Sequence, residues 1–245
     1  MQIVHTATDR FEIDGLKFRF SAEPGITTKD EIFLFKDANF VNCYLRDIAK
    51  LNPRRVFEFG IFQGGSALFL AGAFDLERYS CLDICDQLPE FEAVVKSHRI
   101  GAVVRTHYNV GQDDADAVRA IFAVDFYDAP PDFIIDDCSH EYELTKRSFE
   151  ITWPMLKSGG HYLIEDWAWA HWDVTQDPAS GWSSRLAPTN LVFDLVMALG
   201  STNLIESIEV KPPYVVLTKS SQPTNWQDHW LDGVIKMRGK TLNKI

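Results

Sequence analysis

The 245 residues, 46% apolar and 13% aromatic, suffice for one α/β domain with a sizeable core and some decoration. With 35 acidic residues against 24 basic ones the formal charge is −11, the wrong sign for a protein that lives on phosphate backbones, so no nucleic-acid partner is expected. Cysteines at 43, 81, 85 and 138 fit neither a disulfide scaffold nor paired zinc spacing, no apolar run could span a bilayer, and no apolar signal core follows Met1; a cytoplasmic protein without membrane attachment is expected.

Residues 1–30 mix the short β-like runs Phe11–Ile13 and Leu16–Phe20 with turn residues and carry no chemical motif. From Asp30 to Leu51 apolar residues recur at helical spacing (Ile32, Phe33, Phe35, Phe40, Val41, Tyr44, Leu45, Ile48), which predicts a helix that Pro53 stops. Residues 1–52 thus read as an N-terminal extension and helix serving as lid or packing, residues 53–220 as the main domain, and 221–245 as a tail.

Short apolar strands then alternate with amphipathic helices, a pattern that demands parallel strands with crossover helices. Strands are predicted at Arg55–Phe59, Tyr79–Asp83, Val103–Tyr108, Asp132–Ile135 and Gly160–Ile164, with helices at Ser66–Phe74, Pro89–His98, Ala115–Phe122 and Tyr142–Leu156. After Trp167 a loop rich in Trp, Asp, Ser and Pro runs to Pro188, followed by a helix at Thr189–Leu199. The last two β-like runs, Leu204–Val210 and Tyr214–Lys219, are joined by Lys211-Pro212-Pro213, too short for a crossover helix, so they should pair antiparallel. The expected fold class is α/β, a Rossmann-like, mostly parallel sheet ending in a C-terminal antiparallel hairpin.

Such sheets bind ligands at the carboxyl ends of their strands. The first strand runs into Glu58-x-Gly60-x-x-x-Gly64-Gly65-Ser66, where glycines allow tight turning and the following helix offers amide groups to a carboxylate; a purely structural turn would look the same. The order G-x-G-x-x-G of a dinucleotide fingerprint is missing, which counts against NAD. The second strand ends at Asp83, where an acidic group typically accepts from ribose hydroxyls, the alternative being a solvated loop aspartate. Asn109-Val-Gly-Gln112-Asp113-Asp114 closes the third strand and could frame an adenine ring or make an ordinary turn.

The sharpest signal is the pair of neighbouring strand ends Asp136-Asp137-Cys-Ser-His140 and Glu165-Asp166. Crowded carboxylates repel and are costly to desolvate, so they call for a cation or a shared proton. Oxygen ligands point to magnesium, calcium or manganese rather than zinc. Asp136, Asp137 and Ser139 could merely cap a helix starting near Glu141, but capping does not explain Glu165-Asp166. His140, three residues beyond Asp137, is placed to act as a general base. Trp167, Trp169, Trp172 and Trp182 supply aromatic faces for a sugar ring or planar acceptor, with core packing or a lid as the alternative, and His171 reads as a solvated loop histidine.

At these residues the chain resembles the metal-dependent O-methyltransferases. Of two similar branches, the catechol and caffeoyl-coenzyme A type has a lysine where His140 stands. The macrocin and mycinamicin type, which methylates sugar hydroxyls of macrolide antibiotics, together with the cephalosporin-cluster methyltransferases, looks closer. The resemblance covers about residues 53–166, and Asp137-x-x-His140 followed by Glu165-Asp166 is its most specific part. It implies a class I methyltransferase fold, S-adenosyl-L-methionine as cofactor, and Mg2+ (or Mn2+ or Ca2+) on Asp137, Glu165 and Asp166, with His140 as catalytic base. By the same resemblance Glu58 and Gly60 contact the methionine end of the cofactor, Asp83 the ribose, and Gln112 with Asp113 the adenine; Gly64, Ser66 and Asp136 complete the cofactor set. The implied partner is a small-molecule hydroxyl acceptor, a sugar or vicinal diol of a natural product, and a homo-oligomer is compatible. Ile61 and Gln63 depart from the pattern, since many methyltransferases have small residues there. Two rival readings are a cofactor-binding protein without turnover and a metal-dependent hydrolase or hydroxylase, the latter disfavoured by the glycine loop.

Overall fold

A computed structural model describes residues 3–222 and 229–245; residues 1–2 of the expected extension and 223–228 of the expected tail lie outside it. The chain divides into two compact units, Met1–Gly111 and Gln112–Ile245.

The first unit opens with a meander of β1 (Ile3–Ala7), β2 (Arg10–Ile13) and β3 (Leu16–Phe20). Asp14 and Gly15 turn β2 into β3 with φ of 54° and 84°, the left-handed pair that a two-residue hairpin loop requires. Alternation along the strands buries Phe11, Ile13, Phe18 and Phe20. Phe11 and Phe18 are register partners whose rings stack at 4.9 Å, and Phe11 meets Phe69 at 5.5 Å.

The expected helix over Asp30–Leu51 is corrected in its first third. Ile32–Leu34 is a strand, β4, parallel to β3, and the helix, α1, spans Ala38–Leu51. Ile32, Phe33 and Leu34 are all buried, as three consecutive apolar residues can be only when both faces are covered. The true helix start is Asp37, whose carboxylate accepts from the Phe40 amide at 2.7 Å. Beyond it come β5 (Arg55–Phe59), α2 (Gly65–Ala73), β6 (Arg78–Asp83), α3 (Pro89–Ser97) and β7 (Val104–Tyr108), with β5, β6 and β7 parallel as predicted.

The second unit runs α4 (Ala115–Asp125), β8 (Phe133–Asp136), α5 (Tyr142–Thr152), β9 (His161–Glu165), α6 (Thr189–Ser201), β10 (Ile205–Val210), β11 (Tyr214–Lys219) and α7 (Trp230–Val234). Strands β8 and β9 are parallel, whereas β11 pairs antiparallel with both β9 and β10, so the hairpin forms as expected. The α/β class, mostly parallel with a terminal hairpin, is the one anticipated. Among the described residues no helix is long and apolar enough to cross a membrane.

Helix α5 ends earlier than Leu156, because Pro154 turns Trp153–Met155 into a 3-10 turn. The carbonyls just beyond it are met by Lys219 of β11, whose Nζ donates to the Trp153, Pro154 and Leu156 oxygens at 2.7, 3.0 and 2.6 Å. Burial pulls this ammonium down to about 8. Lys219→Met should therefore lower stability by about 3 kcal/mol at neutral pH, since the carbonyls lose a charged donor. Urea unfolding measures this, and a change below about 0.5 kcal/mol would mean that the bonds contribute nothing net.

Candidate active site

In the first unit the end of β5 is held together by the residues that the sequence singled out. Glu58 is fully buried and its Oε2 accepts from Tyr79 Oη of β6 at 2.6 Å. Gly60 adopts φ 100° and donates its amide to Leu82 at 2.9 Å. Gly64 has φ 76°, and a Cβ there would lie 2.2 Å from the Phe91 ring. Ser66 stands in the first turn of α2. Asp83 closes the arrangement: its Oδ2 accepts from the Ile61 and Phe62 amides at 2.8 and 3.0 Å, and its Oδ1 from Cys85 at 3.0 Å. One carboxylate oxygen therefore organises the glycine loop, and the other, with one bond, retains capacity for a hydroxyl.

Gln63, a departure from the family pattern, has a local explanation. Its Oε1 accepts from the Thr27 amide at 3.0 Å, its main-chain oxygen accepts from Thr27 Oγ1 at 2.7 Å, and the same Oγ1 accepts from Phe33 at 3.1 Å. The N-terminal segment thus pins the loop, a role invisible to sequence because Thr27 and Gln63 lie 36 residues apart.

In the second unit the predicted residues form a chain of hydrogen bonds under the loop after β8. Asp136 is buried, and its Oδ2 accepts from Tyr162 Oη at 2.9 Å and from Ser148 Oγ. Burial pushes this carboxyl up to about 7, against the two hydroxyls, which favour the ionised form. Gln112, also buried, donates to Ser148 Oγ at 3.2 Å and accepts from the Ser139 amide at 3.0 Å. Its amide is thus engaged within the unit, bracing the loop that carries Asp137 and His140. Asp113 is exposed beside Asp114, which caps α4 through the Ala117 amide at 3.1 Å. Ser148 and Tyr162 were not foreseen; nothing local in the sequence marks a core hydroxyl as a carboxylate partner.

Among the described residues Asp137, His140 and Asp166 offer one ligand atom each, all within 4.8 Å of one another. His140 Nε2 lies 3.8 Å from Asp137 Oδ1 and 3.9 Å from Asp166 Oδ2. Atoms coordinating one ion at roughly 2.0 to 2.5 Å lie about 3 to 5 Å apart, so the spacing and the oxygen-rich donors fit a magnesium-like cation. Glu165, the last residue of β9 and paired with Tyr214 of β11, is 1% exposed and stands outside this group. His140 and Asp166 both have left-handed backbones, φ 53° and 47°. Such conformations in residues with a Cβ persist only where surrounding contacts fix them, and they cluster at functional sites.

Beside the group a cleft with about 470 Å³ of empty space, its open mouth included, is lined by His140, Asp166, Trp169, Trp172, Val174 and Trp182, with two hydroxyl residues. Trp169 and Trp182 pack with ring centroids 4.9 Å apart. Among the described residues no lysine, arginine or amide side chain lines the cleft. His171 is exposed and its Nε2 meets Thr189 Oγ1 at 3.3 Å, in keeping with a bystander.

Residues 57–167 match a family model described as a methyltransferase domain. Over 85 residues the chain is 35% identical to the demethylmacrocin O-methyltransferase of Streptomyces fradiae, covering 35% of this chain and 22% of that protein. Among solved structures it is similar to the methyltransferase MycE of mycinamycin biosynthesis in complex with Mg and SAH, at 22% identity and a TM-score of 0.57 over 74% of this chain and 49% of that one. A second is the O-methyltransferase TomG of Streptomyces achromogenes in complex with SAM, at 15% identity and a TM-score of 0.53 over 76% of this chain and 82% of that one. The structural likeness establishes the fold. The expected resemblance to the macrocin and mycinamicin group is met, although the chain spans only 22% of the curated relative and 49% of MycE.

Proposed function

We propose that this chain is a divalent-metal-dependent O-methyltransferase that moves the methyl group of S-adenosyl-L-methionine to a hydroxyl of a sugar or vicinal diol of a natural product. The convergence of Asp137, His140 and Asp166 at the ends of two parallel neighbouring strands, beside an aromatic cleft, carries the reading. The comparisons support it, since relatives with this fold are O-methyltransferases and one is described with Mg, SAH and mycinamycin VI.

Asp137 and Asp166, with Glu165 as a third carboxylate at the end of β9, would hold Mg2+, which would supply positive charge that acidifies an acceptor hydroxyl, and S-adenosyl-L-methionine would supply an electrophilic sulfonium methyl. Trp169, Trp172 and Trp182 hold the acceptor's ring face and exclude water. His140 accepts the hydroxyl proton at Nε2. The acceptor oxygen bonds to the methyl carbon as the carbon–sulfur bond breaks, with the electron pair left on sulfur, so most of the acceleration comes from holding the three atoms in line. The Glu58 to Ser66 loop and Asp83 would hold the cofactor. With Asp166 in the lining, and no lysine or arginine there among the described residues, neutral or cationic acceptors should be favoured over anionic ones.

His140→Ala tests the division of roles. As a base, its loss should cut methyl transfer from labelled S-adenosyl-L-methionine to sugar, vicinal-diol and catechol acceptors by about a hundredfold or more, with Mn2+ affinity nearly unchanged. A parallel collapse of Mn2+ affinity would make His140 a ligand instead. Cofactor binding by the wild type without transfer to any acceptor in that panel would favour a binding protein.

A further inference from the structure

Two loops carry the three clustered groups: Asp137 and His140 follow β8, and Asp166 follows β9. Their separation sets the size of the gap between the carboxylates, and each carries a residue in the left-handed region, His140 in one and Asp166 in the other. On one side the β8 loop is braced by the Ser139 amide bond to Gln112. On the other, Trp169, three residues beyond Asp166, donates its indole Nε1 to the main-chain oxygen of His140 at 2.7 Å. Trp169 is 5% exposed and begins a 3-10 turn. Its own main chain is tied down by its amide on the Asp166 oxygen at 3.4 Å and by Thr175 Oγ1 on its oxygen at 2.6 Å.

We propose that Trp169 is a positioning residue which, through this single N–H bond, locks the His140 backbone and fixes the spacing of His140 and Asp137 against Asp166. The inference rests on the metal-dependent reading above. A left-handed residue with a Cβ is held only by its surroundings. The indole bond ties the His140 main chain to the segment that follows Asp166, and so holds the imidazole at 3.8 and 3.9 Å from the two carboxylates it faces. Trp169 thus does two jobs with different atoms: its ring faces the cleft and packs tilted against Trp182, while its N–H sets the cation site. Partners of this outer kind typically change metal affinity about 10- to 100-fold.

The test is titration of the full chain with Mn2+ alone, followed by the electron paramagnetic resonance signal of unbound Mn2+, with melting temperature recorded without metal. Trp169→Phe keeps a stacking ring and removes the donor; it should weaken Mn2+ binding by about tenfold and lower the melting temperature by no more than about 4 °C. Trp182→Phe, which disturbs the stack but not the bond to His140, should leave Mn2+ affinity unchanged. Should Trp169→Phe fold poorly, replacing the indole by its sulfur isostere, benzothiophene, removes only the N–H and should give the same loss. Unchanged affinity in the donor-free variants, or an equal loss in Trp182→Phe, overturns the inference while leaving the metal site standing. Absence of Mn2+ binding by the wild type overturns the metal reading itself, and the inference with it.

Discussion

Asp137→Ala is expected to lower methyl transfer by more than about a hundredfold, the scale on which losing one electrostatic contact to a transition state operates. Asp137 is one of two carboxylates flanking His140 Nε2, so its removal takes away both a proposed ligand and half of the charge that would make the gap attractive to a cation. Excess chelator should reproduce the loss in the wild type. Cofactor affinity should stay nearly unchanged, because Glu58, Gly60 and Asp83 are held by Tyr79, Leu82 and the Ile61 and Phe62 amides, all within the first unit. Full activity in the variant, or in chelator, would refute the metal role.

The second large effect falls on stability. Gly65 opens α2, and a Cβ built there would lie 2.1 Å from the main-chain oxygen of Phe33 and 2.8 Å from Leu34 Cα. These are backbone atoms of β4, which cannot rotate away as a side chain end would. Gly65→Ala should therefore cost about 3 kcal/mol, at the upper end for overpacking. Gly181, in the tryptophan-rich loop, has nothing within 4 Å of such a Cβ, and Gly181→Ala should be neutral to within about 0.5 kcal/mol. Denaturant unfolding of the pair separates steric fit from glycine loss as such; equal small effects would show that β4 does not press on α2.

The contrast between these residues also shows which features were legible in sequence. The alternation from Arg55 to Glu165 was readable because four of its five strands, β5, β6, β8 and β9, are short and largely buried runs that stop at a glycine or an acidic residue, as Phe133-Ile-Ile-Asp136 does. The stretch Ile32–Leu34 was misassigned because its apolar residues also fit a helical period, and only pairing with β3 decides between the two. The clustering of Asp137, His140 and Asp166 followed from their placement at neighbouring strand ends. By contrast, the enclosure of Glu165 and the inward turn of Gln112 depend on contacts distant in sequence: Tyr214 on β11, and Ser139 with Ser148. The Thr27 hold on Gln63 and the Trp169 bond to His140 are of the same kind, linking residues 36 and 29 apart through atoms that any threonine or tryptophan carries.

The glycine loop also acquires a more specific role. Its amides at Ile61 and Phe62 are committed to Asp83, so the loop and the second strand end form one preorganised unit before any ligand arrives. Phe62 holds φ 48° there and packs tilted against Phe35 at 5.5 Å, so a strained residue follows β5 just as His140 and Asp166 follow β8 and β9.

The central claim is tested most directly by calorimetric titration of the full chain with S-adenosyl-L-methionine, once in Mg2+ and once in chelator. One molecule bound per chain under both conditions, with methyl transfer to a hydroxyl acceptor in Mg2+ alone, is the result that this account expects. No binding under either condition would contradict it.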